Sequence, residues 1–155
     1  SMQTQIESFE RIIYERPRFS RFHYLRCNYP DDLSILADQG IKTDFSFCFS
    51  DSLMYRAATT HAFKQWSYQH SKPVGVSIIP LSIMDVMLKN TLKYSYDEAL
   101  SKSKEKIELS SFLGSNCVLL WHNNSLYPDF ERKNYHPKLL LELKKHIATL
   151  AEIDI

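Results

Sequence analysis

The residues best equipped for chemistry close a short apolar run, Asn116-Cys117-Val118-Leu119-Leu120-Trp121-His122-Asn123-Asn124, which gives way to turn residues at Tyr127-Pro128-Asp129. The run is too brief for a helix. It fits a buried strand of an α/β protein whose C-terminal end delivers polar side chains, and in such folds chemistry collects at those strand ends. His122 is the leading candidate, because an imidazole can take or give a proton near neutral pH. The competing reading is a partly buried histidine held by one structural hydrogen bond. Arg21, His23 and Arg26 project from a second expected strand and Asp44 from a third. Arginine and histidine are unusual inside a fold unless paired, and Asp44 is the carboxylate placed to serve an arginine. That pair reads equally as a group orienting a base or binding an oxyanion, and as a structural ion pair.

Other chemistries lack their signatures. The six histidines, His23, His61, His70, His122, His136 and His146, form no HExxH, no HxH and no other metal-cage spacing. With glycine only at positions 40, 75 and 114, and no GxSxG, GxGxxG or P-loop, phosphate-cradling loops are not expected. Nineteen Lys and Arg against 18 Asp and Glu leave a net charge of +1. A balance this even gives no reason to expect nucleic acid or an acidic membrane as partner. No apolar run is long enough to span a bilayer and no signal peptide opens the chain. Cys27, Cys48 and Cys117 lack paired spacing, so buried thiols in a reducing compartment, the cytoplasm, are expected.

The elements that must position these residues alternate in type. Residues 3–14 place Ile6, Phe9, Ile12 and Ile13 on one helical face before Arg16-Pro17 stops the helix. Phe19 to Arg26 reads as a strand. Pro30-Asp31-Asp32 opens a short helix with Leu33, Leu36 and Ala37, ended by Gly40. Thr43 to Ser50 has a clean period of two, with Phe45, Phe47 and Phe49 on one face and Asp44, Ser46, Cys48 and Ser50 on the other. Phenylalanines covered by helices and a small polar face toward a lumen or cleft would satisfy both faces. Short strands are expected at 63–68 and 74–79, and a helix at 82–92. Ser95-x-x-Glu98 is a capping box opening a helix to about Phe112, with Gly114 ending it. The charged run Lys102, Lys104, Glu105 and Lys106 reads as its solvated face. Pro137 begins a last helix with Leu140, Leu143, Ile147, Leu150 and Ala151 as its stripe. The class is α/β with a mostly parallel sheet of four or five strands, in one domain or domain fragment over 1–155.

Five short motifs in order give a resemblance: Ser20-Arg21-Phe22-His23-Tyr24-Leu25-Arg26, Ile41-Lys42-Thr43-Asp44-Phe45-Ser46, Tyr55-Arg56-Ala57, Met84-Asp85 followed by Leu88, and Leu120-Trp121-His122-Asn123. Over residues 18–128 the chain resembles the C-terminal half of the polysaccharide deacetylase-like proteins related to carbohydrate esterase family 4, the NodB-homology group. Its nearest subgroup carries S-R-Q-H-Y-L-R, D-Y-S, F-R-A-G-T, M-D-x-T-L and L-W-H-N-E. The resemblance implies a partial (β/α) barrel and metal-assisted hydrolysis of an N-acetyl group on an amino sugar or glycan, with zinc as the usual ion. It implies that His122 is the late-strand acid protonating the departing amine. Arg21 or Arg26, with Asp44, would orient the base, and His23, Arg56, Trp121 and Asn123 would contact the glycan.

The departures from that pattern set further expectations. No counterpart of the family's base aspartate or H-x-x-x-H metal ligands is visible, so zinc ligands are not expected in this chain and it should be inactive alone. F-R-A-G-T becomes Tyr55-Arg56-Ala57-Ala58-Thr59, W-H-N-E becomes Trp121-His122-Asn123-Asn124, and Ile79-Pro80 stands where His-Pro is usual. The alternative is a catalytically degenerate domain that binds carbohydrate or a protein. A half-barrel would also expose strand edges, so self-association or docking of an N-terminal region is expected along Phe19 to Arg26.

Overall fold

The structure is a computed structural model that describes residues 2–127 and 134–153, with 152 and 153 described in backbone only. It is a mixed α/β protein with short parallel sheets, arranged as two compact units.

The first unit comprises residues 1–48 and 61–80. Helix α1 (Met2–Ile13) buries Ile6 and leaves Phe9, Ile12 and Ile13 exposed. Strand β1 (Phe19–Ser20), helix α2 (Asp31–Asp38) and strand β2 (Thr43–Asp44) form a βαβ crossover, with β1 parallel to β2 and Ser20 opposite Asp44. Asp31 and Asp32 lie at the positive end of α2. Gly40, at φ +85°, ends it: its amide donates to the Ala37 carbonyl and the Ile41 amide to that of Leu36. This is a full Schellman closure, and only glycine takes that φ without a Cβ clash. Strand β5 (Ser77–Ile78) joins β2 in parallel on its other side, while β3 (Trp66–Ser67) and β4 (Lys72–Pro73) form a small antiparallel hairpin. The core of this unit is Ile6, Leu33, Leu36, Ile41, Val74, Val76 and Ile78.

Two expected strands are shorter than their patterns suggest. Phe19 to Arg26 is a strand only at Phe19–Ser20, because Tyr24 and Leu25 both sit at φ +56° in a tight turn over His23–Leu25. Left-handed backbone cannot continue a ladder. Beyond Asp44 the Phe45 amide still donates to the Ser20 carbonyl of β1 at 3.0 Å, but residues 45–50 form no strand, although their alternation survives. Asp44, Ser46 and Cys48 are buried, and Phe45, Phe47 and Phe49 are half-buried. The small polar face is the inner one.

The second unit comprises residues 49–60 and 81–155. Strand β6 (Leu81–Met84), helix α3 (Tyr96–Phe112) and strand β7 (Val118–Leu120) form another parallel βαβ crossover, with Met84 opposite Leu120. Every residue of β6 is buried, as expected for a strand covered on both faces. The helix expected at 82–92 is thus a strand first. Its run Leu81-Ser82-Ile83-Met84 carries no polar residue larger than serine, and helical backbone starts only at Asp85, passing into a π-turn over Met87–Thr91. Helix α3 opens with the complete capping box: the Ser95 hydroxyl accepts the Glu98 amide, and the Glu98 carboxylate accepts the Ser95 amide.

The charged run on α3 is solvated at Lys102 and Glu105, which pair at 2.9 Å. It is not solvated at Lys106, which is buried with its ammonium 3.2 Å from the centre of the Tyr55 ring. Two successive helical turns carry Ser103, Lys106 and Ser110 to the inner face, so charge alone misplaced Lys106. Helix α4 (Tyr135–Ile153) turns Tyr135, His136, Leu139 and Leu143 inward, leaving Ile147 and Ala151 exposed. Its buried stripe is therefore rotated from the expected one. Ile83, Leu88, Ala99, Ile107, Tyr135, Leu139 and Leu143 make the core. No helix among the described residues is long and apolar enough to cross a membrane.

Candidate functional site

The strand ends of the second unit bring two ionisable groups together. Since β6 and β7 run parallel with Met84 opposite Leu120, the residues just past both C-terminal ends leave the sheet side by side. Asp85 follows β6 and is fully buried. One of its carboxylate oxygens accepts the His122 backbone amide at 2.8 Å, and the other lies 2.6 Å from His122 Nδ1. The carboxylate stands in for the next rung of the ladder and grips the ring of the same residue it holds by the backbone. The Val86 amide donates to it at 2.7 Å, and the Ser125 hydroxyl contributes a fourth bond. Burial pushes the Asp85 carboxyl up, but the bonds from Ser125, the His122 amide, the His122 ring and the Val86 amide together hold it below its ordinary range.

His122 is not buried with its partner. Its side chain is 39% exposed. With Nδ1 turned to Asp85, Nε2 is the ring atom left for a second molecule. Asp85 needs a proton donor from the ring, so neutral His122 carries its hydrogen on Nδ1 and a lone pair on Nε2. A buried carboxylate that fixes tautomer and ring plane, behind a partly exposed imidazole, suits general acid–base work.

The other expected residues divide between the units. Trp121 is half-buried against the core of the second unit, its ring edge-on to His136 at 6.2 Å. The Asn123 amide oxygen accepts the Asn124 backbone amide at 2.9 Å within the 3₁₀ turn Asn123–Leu126. Arg56 is exposed on a turn closed by the Ala58 amide donating to the Tyr55 carbonyl at 2.9 Å. Ala58 holds φ +51° there. In the same unit, burial raises the Cys117 thiol above its ordinary pKa, opposed by contacts with Ser82 and Ser110. That is the state of an inert thiol, not of a nucleophile.

In the first unit, Asp44 is fully buried and its oxygens are engaged by small donors: the Ser20 hydroxyl at 2.7 Å, the Ser46 hydroxyl at 2.9 Å and the Ser46 amide at 2.8 Å. The Ser46 hydroxyl in turn accepts the Phe22 amide at 2.8 Å. Asp44 thereby ties the ends of β1 and β2 to the tight turn that follows β1. Arg21 is exposed, with its guanidinium over the Phe45 ring. Partial shielding lowers its pKa from the ordinary value, and the nearby Asp44 charge opposes that, although the two side chains are not in ion-pair contact. Arg26 lies over Tyr24, and His23 stacks beside the same ring at 4.2 Å.

Asp85 and Ser125 are the site residues that pattern reading did not select. Asp85 would have stood out had 81–84 been read as a strand, because it would then occupy a strand's C-terminal end. Ser125 has no sequence signal of its own. A zinc ion needs three or four converging donors. Among the described residues no three His, Cys, Asp or Glu side chains are grouped to hold one, and Asp85 and His122 Nδ1 are engaged with each other. The described donor set does not fit a metal ion. Comparison with protein-family models, curated proteins and solved structures finds no match for the chain.

Proposed function

We propose that the chain is a polysaccharide deacetylase-like protein whose strands belong to a (β/α) barrel of that type. In this reading His122, oriented by Asp85, gives a proton to the amine that departs when an N-acetyl group on an amino sugar is hydrolysed. The observation that carries it is the Asp85–His122 pair, with one carboxylate bonded to both the amide and the ring of the histidine. The chemistry follows from the geometry. Amide hydrolysis needs a group that protonates the leaving nitrogen, and a histidine ring whose Nδ1 is held by a buried carboxylate has Nε2 left for that transfer. The turn at Ala58 adds support. The resembling signature has glycine at this position, and the backbone here adopts the left-handed conformation that favours glycine.

The test follows the His122 ring signals by NMR while the chain is titrated with penta-N-acetylchitopentaose. The reading predicts that the signals move on binding and that Asp85→Asn abolishes or redirects the movement. Binding that leaves His122 unmoved, and is unchanged by His122→Ala, would instead support a degenerate carbohydrate-binding domain. The Asn124 found where the signature has glutamate favours that second reading.

A further inference from the structure

The net charge of +1 conceals a local excess in the first unit. Arg11, Arg16, Arg18, Arg21 and Arg26 fall between positions 11 and 26, and Glu15 is the one carboxylate in that span. Arg16 pairs with Glu10. Among the described residues, Arg11, Arg18, Arg21 and Arg26 have no carboxylate in ion-pair contact. Two aromatic side chains between them face solvent, Phe19 at 66% and Tyr24 at 77% exposed, while Phe22 packs on the core. They are combined with the arginines in a regular way. Phe19 meets Phe45 at 6.0 Å between ring centres, and the Arg21 guanidinium lies 5.8 Å from the centre of Phe45. Five residues on, His23 and the Arg26 guanidinium both lie against Tyr24, at 4.2 and 5.6 Å. Each group sets a fork of N–H donors against an aromatic ring.

The segment is held in this form at a cost. Tyr24 and Leu25 both sit at φ +56°, a conformation that is unfavourable for residues with a Cβ and persists only where surroundings enforce it. The enforcement comes from buried Asp44, through Ser46, to the Phe22 amide. A basic, aromatic and pre-shaped turn is more than an unpartnered face, because its charge specifies the occupant.

We propose that Phe19, Arg21, His23, Tyr24 and Arg26 form a binding surface for an acidic glycan, a chain of sugars bearing carboxylate or phosphate groups. The arginines hold its anions bidentately, and the aromatic rings lie under its sugar faces. The choice of a glycan over other polyanions rests on the deacetylase-like reading; the preference for negative charge rests on the surface alone.

The experiment measures binding of the 155-residue chain to oligogalacturonate, penta-N-acetylchitopentaose, polyuridylate and polyglutamate at several salt concentrations. Oligogalacturonate is expected to bind tightest, with affinity falling as salt rises. Arg21→Gln and Arg26→Gln should each weaken it about tenfold, the effect of losing one charge-assisted contact. Tyr24→Ala should weaken it without changing the salt dependence. Arg21→Lys, which keeps the charge but not the fork, should recover only part of the loss. Polyuridylate or polyglutamate binding as well as the acidic glycan overturns the proposal. So do equal affinity for the neutral chitopentaose and indifference to both arginine substitutions. Arginine-dependent binding of oligogalacturonate with a silent His122 under chitopentaose keeps this surface while removing the deacetylase reading.

Discussion

At the scale of single residues, His122 could be picked out from sequence because a histidine closing an apolar run at a strand end is a recognisable pattern. Its partner, Asp85, lay in the Met84-Asp85 motif, but nothing in the pattern gave it a role. Asp85 follows four residues that pack on both faces, so they show no alternation to mark a strand, and helical backbone does begin at Asp85 itself. Arg21 and Asp44 were expected to pair, and the structure gives each other work: Asp44 is satisfied by serine hydroxyls and an amide, and Arg21 lies on Phe45. The Asp85 environment has a consequence for pH. Its folded pKa is held below the ordinary value, so the charged form is the one the fold stabilises. That contribution is complete above the unfolded carboxylate pKa and is lost as pH falls through the depressed folded value. Asp85→Asn is expected to cost roughly 1.5–3 kcal/mol at neutral pH, the range for hydrogen bonds to a charged group. The gap from the parent should close in acid. Thermal melts of both proteins from neutral to strongly acidic pH test this, and a gap independent of pH would remove the role given to the carboxylate's charge.

At the scale of elements, local rules held where one or two residues decide the outcome. The Ser95–Glu98 box and the Gly40 closure are where their residue types put them. Strand lengths were not legible in the same way, because a single left-handed residue ends a ladder that hydrophobic alternation alone would continue. The strand expected over Phe19 to Arg26 stops at Ser20, and the left-handed Tyr24 and Leu25 keep the rest of the segment in a turn. The turn at Tyr55–Ala58 is the complementary case, with a Cβ placed where glycine would be at ease. Ala58→Gly should therefore stabilise the protein, by about 1 kcal/mol, the lower end of the cost of left-handed backbone for an alanine. Urea denaturation would register this as a higher midpoint with unchanged slope. A destabilised variant would mean that the Ala58 methyl group packs favourably and outweighs its backbone cost.

At the scale of the whole molecule, the alternation of strand and helix yields two parallel crossovers, β1-α2-β2 and β6-α3-β7, one in each unit. Each places a buried aspartate at or just after a strand end, Asp44 in one unit and Asp85 in the other. That recurrence was hidden because one carboxylate was read as a catalytic orienter and the other lay in an expected helix. Whole-chain charge was equally uninformative, since a balanced total averages away the arginines of residues 11–26. Self-association along Phe19 to Arg26 would have to use an edge strand of two residues flanked by Pro17 and Arg18, features that blunt strand pairing. What the function turns on is whether the fold holds His122 as a proton-transfer group. The most direct measurement is the ¹⁵N NMR tautomer state of neutral His122 in the intact chain. A proton on Nδ1, directed at Asp85, with the lone pair on Nε2 is the predicted result; a proton resident on Nε2 would contradict it.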